Sequence, residues 1–146
     1  MVRELGLADW GGVWPLVRGF GTEFSEEVSR GYFEELVGDP RWVALGFEVG
    51  GELVGYAVVQ DYGTHLRGGR RFHGRLHDLY VVPDRRRGGV GRGLMAAVVE
   101  WAAPRVRYLE WQAHAERAAP FYEALGYRGE PCPQSDYPTF GVEFST

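Results

Sequence analysis

The stretch Leu76-His77-Asp78-Leu79-Tyr80-Val81-Val82-Pro83-Asp84-Arg85-Arg86-Arg87-Gly88-Gly89-Val90-Gly91-Arg92-Gly93-Leu94 carries most of the information in this chain. Leu76 to Val82 is apolar enough for a central strand, and Pro83, which has no amide to donate, stops it. A glycine-rich turn then opens a helix over Gly89 to Ala103. In that helix Val90, Leu94, Val98 and Trp101 share a face, and Pro104 closes the run. The first turn of a helix leaves backbone N–H groups without partners and concentrates positive potential there. Glycines let such a backbone approach a ligand closely. Three consecutive arginines, Arg85, Arg86 and Arg87, deepen the field, so the ligand to expect is a phosphate or pyrophosphate.

Two phosphate motifs do not fit. A nucleotide-hydrolysing P-loop needs Gly-Lys-Ser/Thr, and the chain contains no lysine. A dinucleotide fingerprint needs Gly-x-Gly-x-x-Gly and an acid about 20 residues later. Gly89-x-Gly91-x-Gly93 has the wrong spacing, and Val106 to Tyr108 supply no acid. The residues resemble a different signature. Arg86-x-x-Gly89-x-Gly91, after an apolar strand ending in Val-x-Pro and before Gly93-Leu94-Met95, is similar to the acetyl-CoA signature of the GNAT N-acetyltransferase superfamily. Ala118-x-x-Phe121-Tyr122-x-x-x-Gly126-Tyr127 resembles that family's later motif, with one helix and one strand in between. The resemblance covers about Leu76 to Arg128; the flanks match by element order. One departure is plain: where the family often has Asn, three residues before the motif alanine, this chain has Ala115. A polar contact to the cofactor is lost there, or comes from His114 or Glu116.

The resemblance implies an α/β (α+β) fold. Its mixed, mostly antiparallel sheet is splayed between the fourth and fifth strands and flanked by helices. It also implies acetyl-CoA as co-substrate, and no metal. Backbone groups of Leu79, Tyr80 and Val81 would bond the pantetheine arm at the splay, as an added strand would. The Leu79 amide would polarise the thioester carbonyl. Backbone amides of Arg87, Gly88, Gly89, Val90, Gly91 and Arg92, with Arg86 beside them, would hold the pyrophosphate. Phe121 falls on the cofactor side of the later motif. Tyr122 matches the tyrosine that relatives often place near the departing sulfur as a general acid; its alternative role is helix-to-sheet packing.

The chemistry asks for a base as well. Alkylamines have pKa values near ~10.4, so the acceptor must lose a proton before it attacks. His77 and Asp78 lie just upstream of the splay, and some relatives carry Glu at the position matching His77. A histidine suits a base at neutral pH. The alternative is a His77 paired with Asp78 or Glu110 for structure alone. His65 and His73 fall in a basic loop, with a surface role expected, and His114 ends a strand near the splay.

The expected activity is transfer of an acetyl group to a primary amine of a small molecule, by direct attack in a ternary complex. Acetylation of a protein or peptide is an alternative, and so is a non-catalytic acetyl-CoA sensor. Acceptor selection is expected from Trp10 to Phe33, the Tyr62 to Phe72 loop and the strand bearing Glu110 and Trp111. Trp14, Phe20, Phe24, Tyr32, Tyr62 and Trp111 are mostly core by expectation. An exposed subset, with Glu23, Glu26, Glu27 or Glu110, would attract an ammonium group.

Composition bounds the rest. At 146 residues, a single domain over 1–146 is expected. No run approaches the roughly 20 apolar residues of a membrane span. The single Cys132 excludes an internal disulfide framework and a multi-cysteine zinc site, and a cytoplasmic location is the default. Net charge is −4, which argues against a nucleic-acid partner, although eight arginines fall between Arg67 and Arg92. A homodimer stays open, with the last strands and the Trp-rich first helix as its candidate surfaces.

Along the chain, Val2 to Leu5 reads as a strand, and Asp9 as the cap of a helix through Val17. Ser25-Glu26-Glu27-Val28 starts a second helix that Gly38-Asp39-Pro40 ends. Arg41 to Val49 and Glu52 to Tyr62 form a hairpin around Gly50-Gly51. Arg107 to Gln112 is a strand, Glu116 to Leu125 a helix, Pro131 to Pro138 a turn-rich tail and Thr139 to Phe144 a last strand.

Overall fold

The computed structural model describes residues 1–130, 136–138 and 140–144. The chain divides into two compact units, Met1–Trp111 and Gln112–Thr146. The first is built on a five-stranded sheet: β1 (Val2–Glu4), β2 (Trp42–Val49), β3 (Glu52–Asp61), β4 (His73–Val81) and β5 (Tyr108–Glu110), in that spatial order. Neighbours run antiparallel except β5, which is parallel to β4. The β2–β3 hairpin turns on Gly50 (φ 56°) and Gly51 (φ 84°), as in the type I′ turn, which matches strand twist with both central residues left-handed.

Helices α1 (Trp10–Phe20) and α2 (Glu26–Val37) cover one face of the sheet, and α3 (Val90–Ala102) covers the other. The division is visible at two consecutive residues. Tyr56 is packed in the core formed by Leu5, Trp10, Val13, Leu16, Phe33 and Ala44. A Cβ on its neighbour Gly55 would lie 3.1 Å from Val90 and Leu94 of α3. Successive strand residues face opposite sides, so the two helical layers do too. The missing side chain at Gly55 lets the first turn of α3 seat against the sheet.

Ser25 caps α2 as expected, its hydroxyl accepting from the Val28 amide at 3.3 Å. Asp9 does not cap α1 with its side chain. That carboxylate accepts from the Gly6 amide at 2.8 Å and pairs with Arg3 at 2.7 Å, closing a short 3-10 turn over Leu7–Asp9. The α1 helix runs on to Phe20, three residues past the expected end, and Gly21 (φ 124°) stops the chain there. On α3 the buried positions are Val90, Leu94, Met95, Val98 and Ala102. Trp101 leaves that face and lies under the Arg105 guanidinium at 4.4 Å. The β4 strand begins at His73, earlier than its apolar run, because β3 and β5 both pair with that end.

The second unit contains α4 (Ala119–Ala124), with Pro120 in its first turn and Gly126 (φ 99°) after its end. It starts later than Glu116 because the preceding residues form a turn in which His114 Nδ1 accepts from the Glu116 and Arg117 amides, at 3.2 and 3.3 Å. Residues 140–144 form no strand, contrary to expectation: Phe140, Val142 and Phe144 alternate but are all exposed. Thr139 and residues 131–135, Cys132 included, lie outside the described residues. Among the described residues no helix is long and apolar enough to cross a membrane.

Candidate functional site

The β4 strand has one paired end and one parted end. Its ladder with β5 covers only His73–Arg75, and no β5 residue pairs with Leu76 to Val81. On the other edge, β3 accompanies β4 from Gly74 to Val81. The Val82 amide donates to the Val54 carbonyl at 2.9 Å. Antiparallel alternation therefore sends the backbone groups of Tyr80 toward β3, and those of Leu79 and Val81 to the edge that β5 has left. Arg86 confirms the direction, since its Nε donates to the outward Val81 carbonyl at 2.9 Å. Of the three residues expected to offer backbone groups there, Leu79 and Val81 do so. The Tyr80 backbone is committed to β3, and its contribution is the ring.

That ring joins two parts of the unit. Phe20, at the end of α1, stacks on Tyr80 with centroids 5.4 Å apart and planes at 14°. Arg86 lies over the Tyr80 ring at 5.6 Å. A side chain on Gly19 would meet the Tyr80 hydroxyl at 2.7 Å, so this glycine is what allows the phenol to lie along α1.

After Val82 the chain makes a short 3-10 turn over Pro83–Arg85, then reaches Arg87 at φ 67° and Gly89 at φ 90°. Arg87 is a non-glycine residue in the left-handed region, a conformation that costs an L-residue about 1–2 kcal/mol. Gly89 occupies the N-cap position of α3 without any side-chain cap, and a Cβ there would meet nothing within 4 Å. Arg85 to Gly89 are all exposed. The turn thus directs the first amides of α3 into open space, with the cationic Arg85, Arg86, Arg87 and Arg92 close in sequence and no acid in the helix's first turn.

A bulge shapes the middle of β4. Val58 pairs with Asp78 and Val59 with Leu76, so His77 is an extra residue in the strand. Without the bulge, His77 and Asp78 would face opposite sides. With it, both turn to the α1/α2 face. Asp78 Oδ2 accepts from the Tyr56 hydroxyl at 3.0 Å. His77 Nε2 lies 2.8 Å from Gln60 Oε1, and its ring stacks on Trp42 at 4.9 Å and 23°. Burial, and then the positive charge of Arg75, hold the His77 pKa below the ordinary histidine value; Asp78 acts weakly in the other direction. Desolvation, followed by the neighbouring Asp78 carboxylate, pushes the Tyr56 phenol far above its usual range.

His77 therefore pairs with neither Asp78 nor Glu110. Glu110 faces His73 instead, at 3.6 Å. His65 Nδ1 accepts from the Arg67 and Gly68 amides and so serves its own loop. Phe20, Phe24, Tyr32 and Tyr62 are each about half exposed, and Phe24 meets Tyr32 edge-on at 5.4 Å. Trp14 packs on the core, while Glu23, Glu26 and Glu27 are exposed. In the second unit, Phe121 and Tyr122 lie on α4 with rings 4.9 Å apart, and burial pushes the Tyr122 phenol above its usual value. Trp42, Tyr56 and Gln60 were not singled out from sequence. The only signal was their even spacing along a hairpin, which places them on one face without saying what they meet. Among the described residues no group of three His, Cys, Asp or Glu side chains is arranged to hold a metal.

Residues 10–127 match the acetyltransferase (GNAT) family model. The chain belongs to the GNAT family. This GNAT chain is 33% identical over 78 residues to glucosamine 6-phosphate N-acetyltransferase of Trypanosoma brucei brucei. That match takes in 53% of the chain and 52% of the relative, so the chain spans about half the length of the curated relative it matches. A Trypanosoma brucei acetyltransferase of known structure is 25% identical, with a TM-score of 0.74 over 92% of this GNAT chain and 96% of the other. An aminoglycoside N-acetyltransferase solved in complex with CoA superposes with a TM-score of 0.80, covering 92% of this chain and 91% of that one; at 17% identity it speaks for the fold.

Proposed function

We propose that this chain is an acetyl-CoA-dependent N-acetyltransferase acting on a primary amine of a small molecule, working as a single domain over residues 1–146. The observation that carries this reading is the continuity of β4: a bulge bearing His77 and Asp78, then outward backbone groups at Leu79 and Val81, then the uncapped start of α3. Those three features suit an acceptor amine, a pantetheine arm and a diphosphate, in that order along the chain.

In this mechanism the amides of Arg87 to Arg92 hold the pyrophosphate, with Arg86 held beside them by Val81 and Tyr80. Leu79 and Val81 bond the pantetheine, and the Leu79 amide faces the thioester oxygen as charge develops there. The neutral amine attacks the carbonyl carbon, so a C–N bond forms and the C–S bond breaks. His77 takes the proton of the incoming ammonium, directly or through water, which makes the amine neutral, and the proton shed after attack returns through water to Tyr122. The sulfur leaves as a thiol with the proton from Tyr122. A phenol carries its proton at neutral pH in any case, and burial pushes the Tyr122 value further up. Asp78, anchored by Tyr56, offers negative charge to the incoming ammonium on the same face.

The test has two steps. Acetyl-CoA raises the melting temperature, by about 2.7 kcal/mol of stabilisation at a hundred times Kd. A panel of glucosamine 6-phosphate, an aralkylamine, a polyamine and an alanine-terminated peptide is then assayed by release of free thiol. Turnover of a small amine supports the reading, turnover of the peptide alone replaces the acceptor class, and stabilisation without turnover means a sensor. No stabilisation overturns the cofactor assignment. Tyr122→Phe is expected to lower kcat about a hundredfold while leaving the acetyl-CoA-induced melting shift intact.

A further inference from the structure

We propose that Gln60 is a positioning residue, which with Trp42 fixes His77 as the Nε2–H tautomer and leaves the Nδ1 lone pair to receive the acceptor's proton. The inference rests on His77 being the base, and adds to it the residues that make a base of this ring.

An imidazole in its neutral form has one nitrogen that donates and one that accepts, and a neighbouring hydrogen bond decides which is which. An amide oxygen can only accept. With Gln60 Oε1 2.8 Å from His77 Nε2, the proton is on Nε2 and Nδ1 is bare. The stack on Trp42 then restrains rotation of the ring, so the bare nitrogen has one fixed direction. The three partners come from three adjacent strands: Trp42 on β2 pairs with Gln60 on β3, and Gln60 with Arg75 on β4. Only because His77 is the extra residue of the bulge does its side chain reach the face that Trp42 and Gln60 share.

Charge around the ring supports the neutral form. Arg75 and Asp78 come from β4, while the partners from β2 and β3 are uncharged. Beyond them, Asp39 pairs with Arg41 ahead of β2, Asp61 accepts from the Gly63 amide at the end of β3, and Glu110 of β5 faces His73. Because the folded-state pKa is lowered, the neutral ring persists as pH falls through the ordinary histidine value, and the fold loses stability on acidification below it. A carboxylate in place of the Gln60 amide would reverse this by favouring the imidazolium.

The experiment compares the intact protein with Gln60→Glu and Gln60→Leu. In the unsubstituted protein, the ¹⁵N shifts of His77 should report a protonated Nε2 and a bare Nδ1 at neutral pH. In Gln60→Leu the two tautomers should mix, and kcat should fall about tenfold with KM for acetyl-CoA unchanged. In Gln60→Glu the His77 titration should move up by about one pH unit. The acid limb of kcat/KM, measured with the best acceptor of the amine panel, should move with it, and the alkaline plateau should be retained. A ¹⁵N signature of protonated Nδ1 in the unsubstituted protein overturns the proposal, whether or not the variants fold. An acid limb that stays put while the His77 titration moves also overturns it, because Gln60 would then be structural. If His77→Ala keeps the full rate, the base assignment itself fails, and the Nε2–H signature still reports separately on what Gln60 does.

Discussion

Two helices in the first unit begin in opposite ways. The α2 helix is closed by its own sequence: Ser25 accepts from the Val28 amide, and Glu26 and Glu27 meet the positive end of the dipole. The α3 helix is preceded by left-handed Gly89, has no side-chain cap and no acid in its first turn, and follows a run of three arginines. Both are helices of similar length packed on the same sheet, so stability alone does not explain the difference. A helix start that its own chain satisfies is a structural element. One that its chain leaves open and surrounds with cations suits an anion from outside.

Substitutions at the two starts test this contrast. Gly89→Asp would make α3 begin as α2 does. A carboxylate at the cap complements the helix dipole and offsets part of the backbone strain, so the unliganded protein should melt close to the unsubstituted one. The same charge would face the pyrophosphate, and acetyl-CoA affinity should fall more than about a hundredfold, or about 2.7 kcal/mol, by calorimetry. An unchanged affinity would break the comparison. Gly89→Val adds no charge but forces a β-branched residue to φ 90°, at a cost of about 1–2 kcal/mol. Melting temperature and acetyl-CoA affinity should both drop, the latter about tenfold. Ser25→Ala should give the smallest effect, about 1 kcal/mol in a denaturant melt. Its acetyl-CoA-induced shift should match that of the unsubstituted protein, and a loss of binding there would show that α2 also serves the ligand.

The two starts were legible in the sequence for the same reason. Serine before a pair of acids and glycines after a proline act through local backbone chemistry, within a few residues. The Gly50-Gly51 hairpin and the buried stripe of Val90, Leu94 and Val98 were legible on the same grounds. What escaped depended on partners distant in sequence. Asp9 looked like a cap until Gly6 and Arg3 claimed its carboxylate. The early start of β4 comes from its pairing with β3 and β5 rather than from its own residues. Phe140, Val142 and Phe144 alternate like a strand, and alternation cannot say whether a neighbour exists to pair with. His77 and Asp78 were named from their place before the splay. That they share a face, with Gln60, Trp42 and Tyr56 as their partners, required the register of β3 against β4.

The extra residue in β4 also constrains how this chain can vary in length. Removing His77 alone would set Leu76 and Asp78 side by side opposite Val59 and Val58, their present partners, so the ladder would close and both side chains would keep their faces. Substitutions here change one contact at a time, while a one-residue deletion would straighten the strand and take the imidazole away without shifting any other pair. Sequences descended from this one that lack a residue here should accordingly keep the sheet and lose the base.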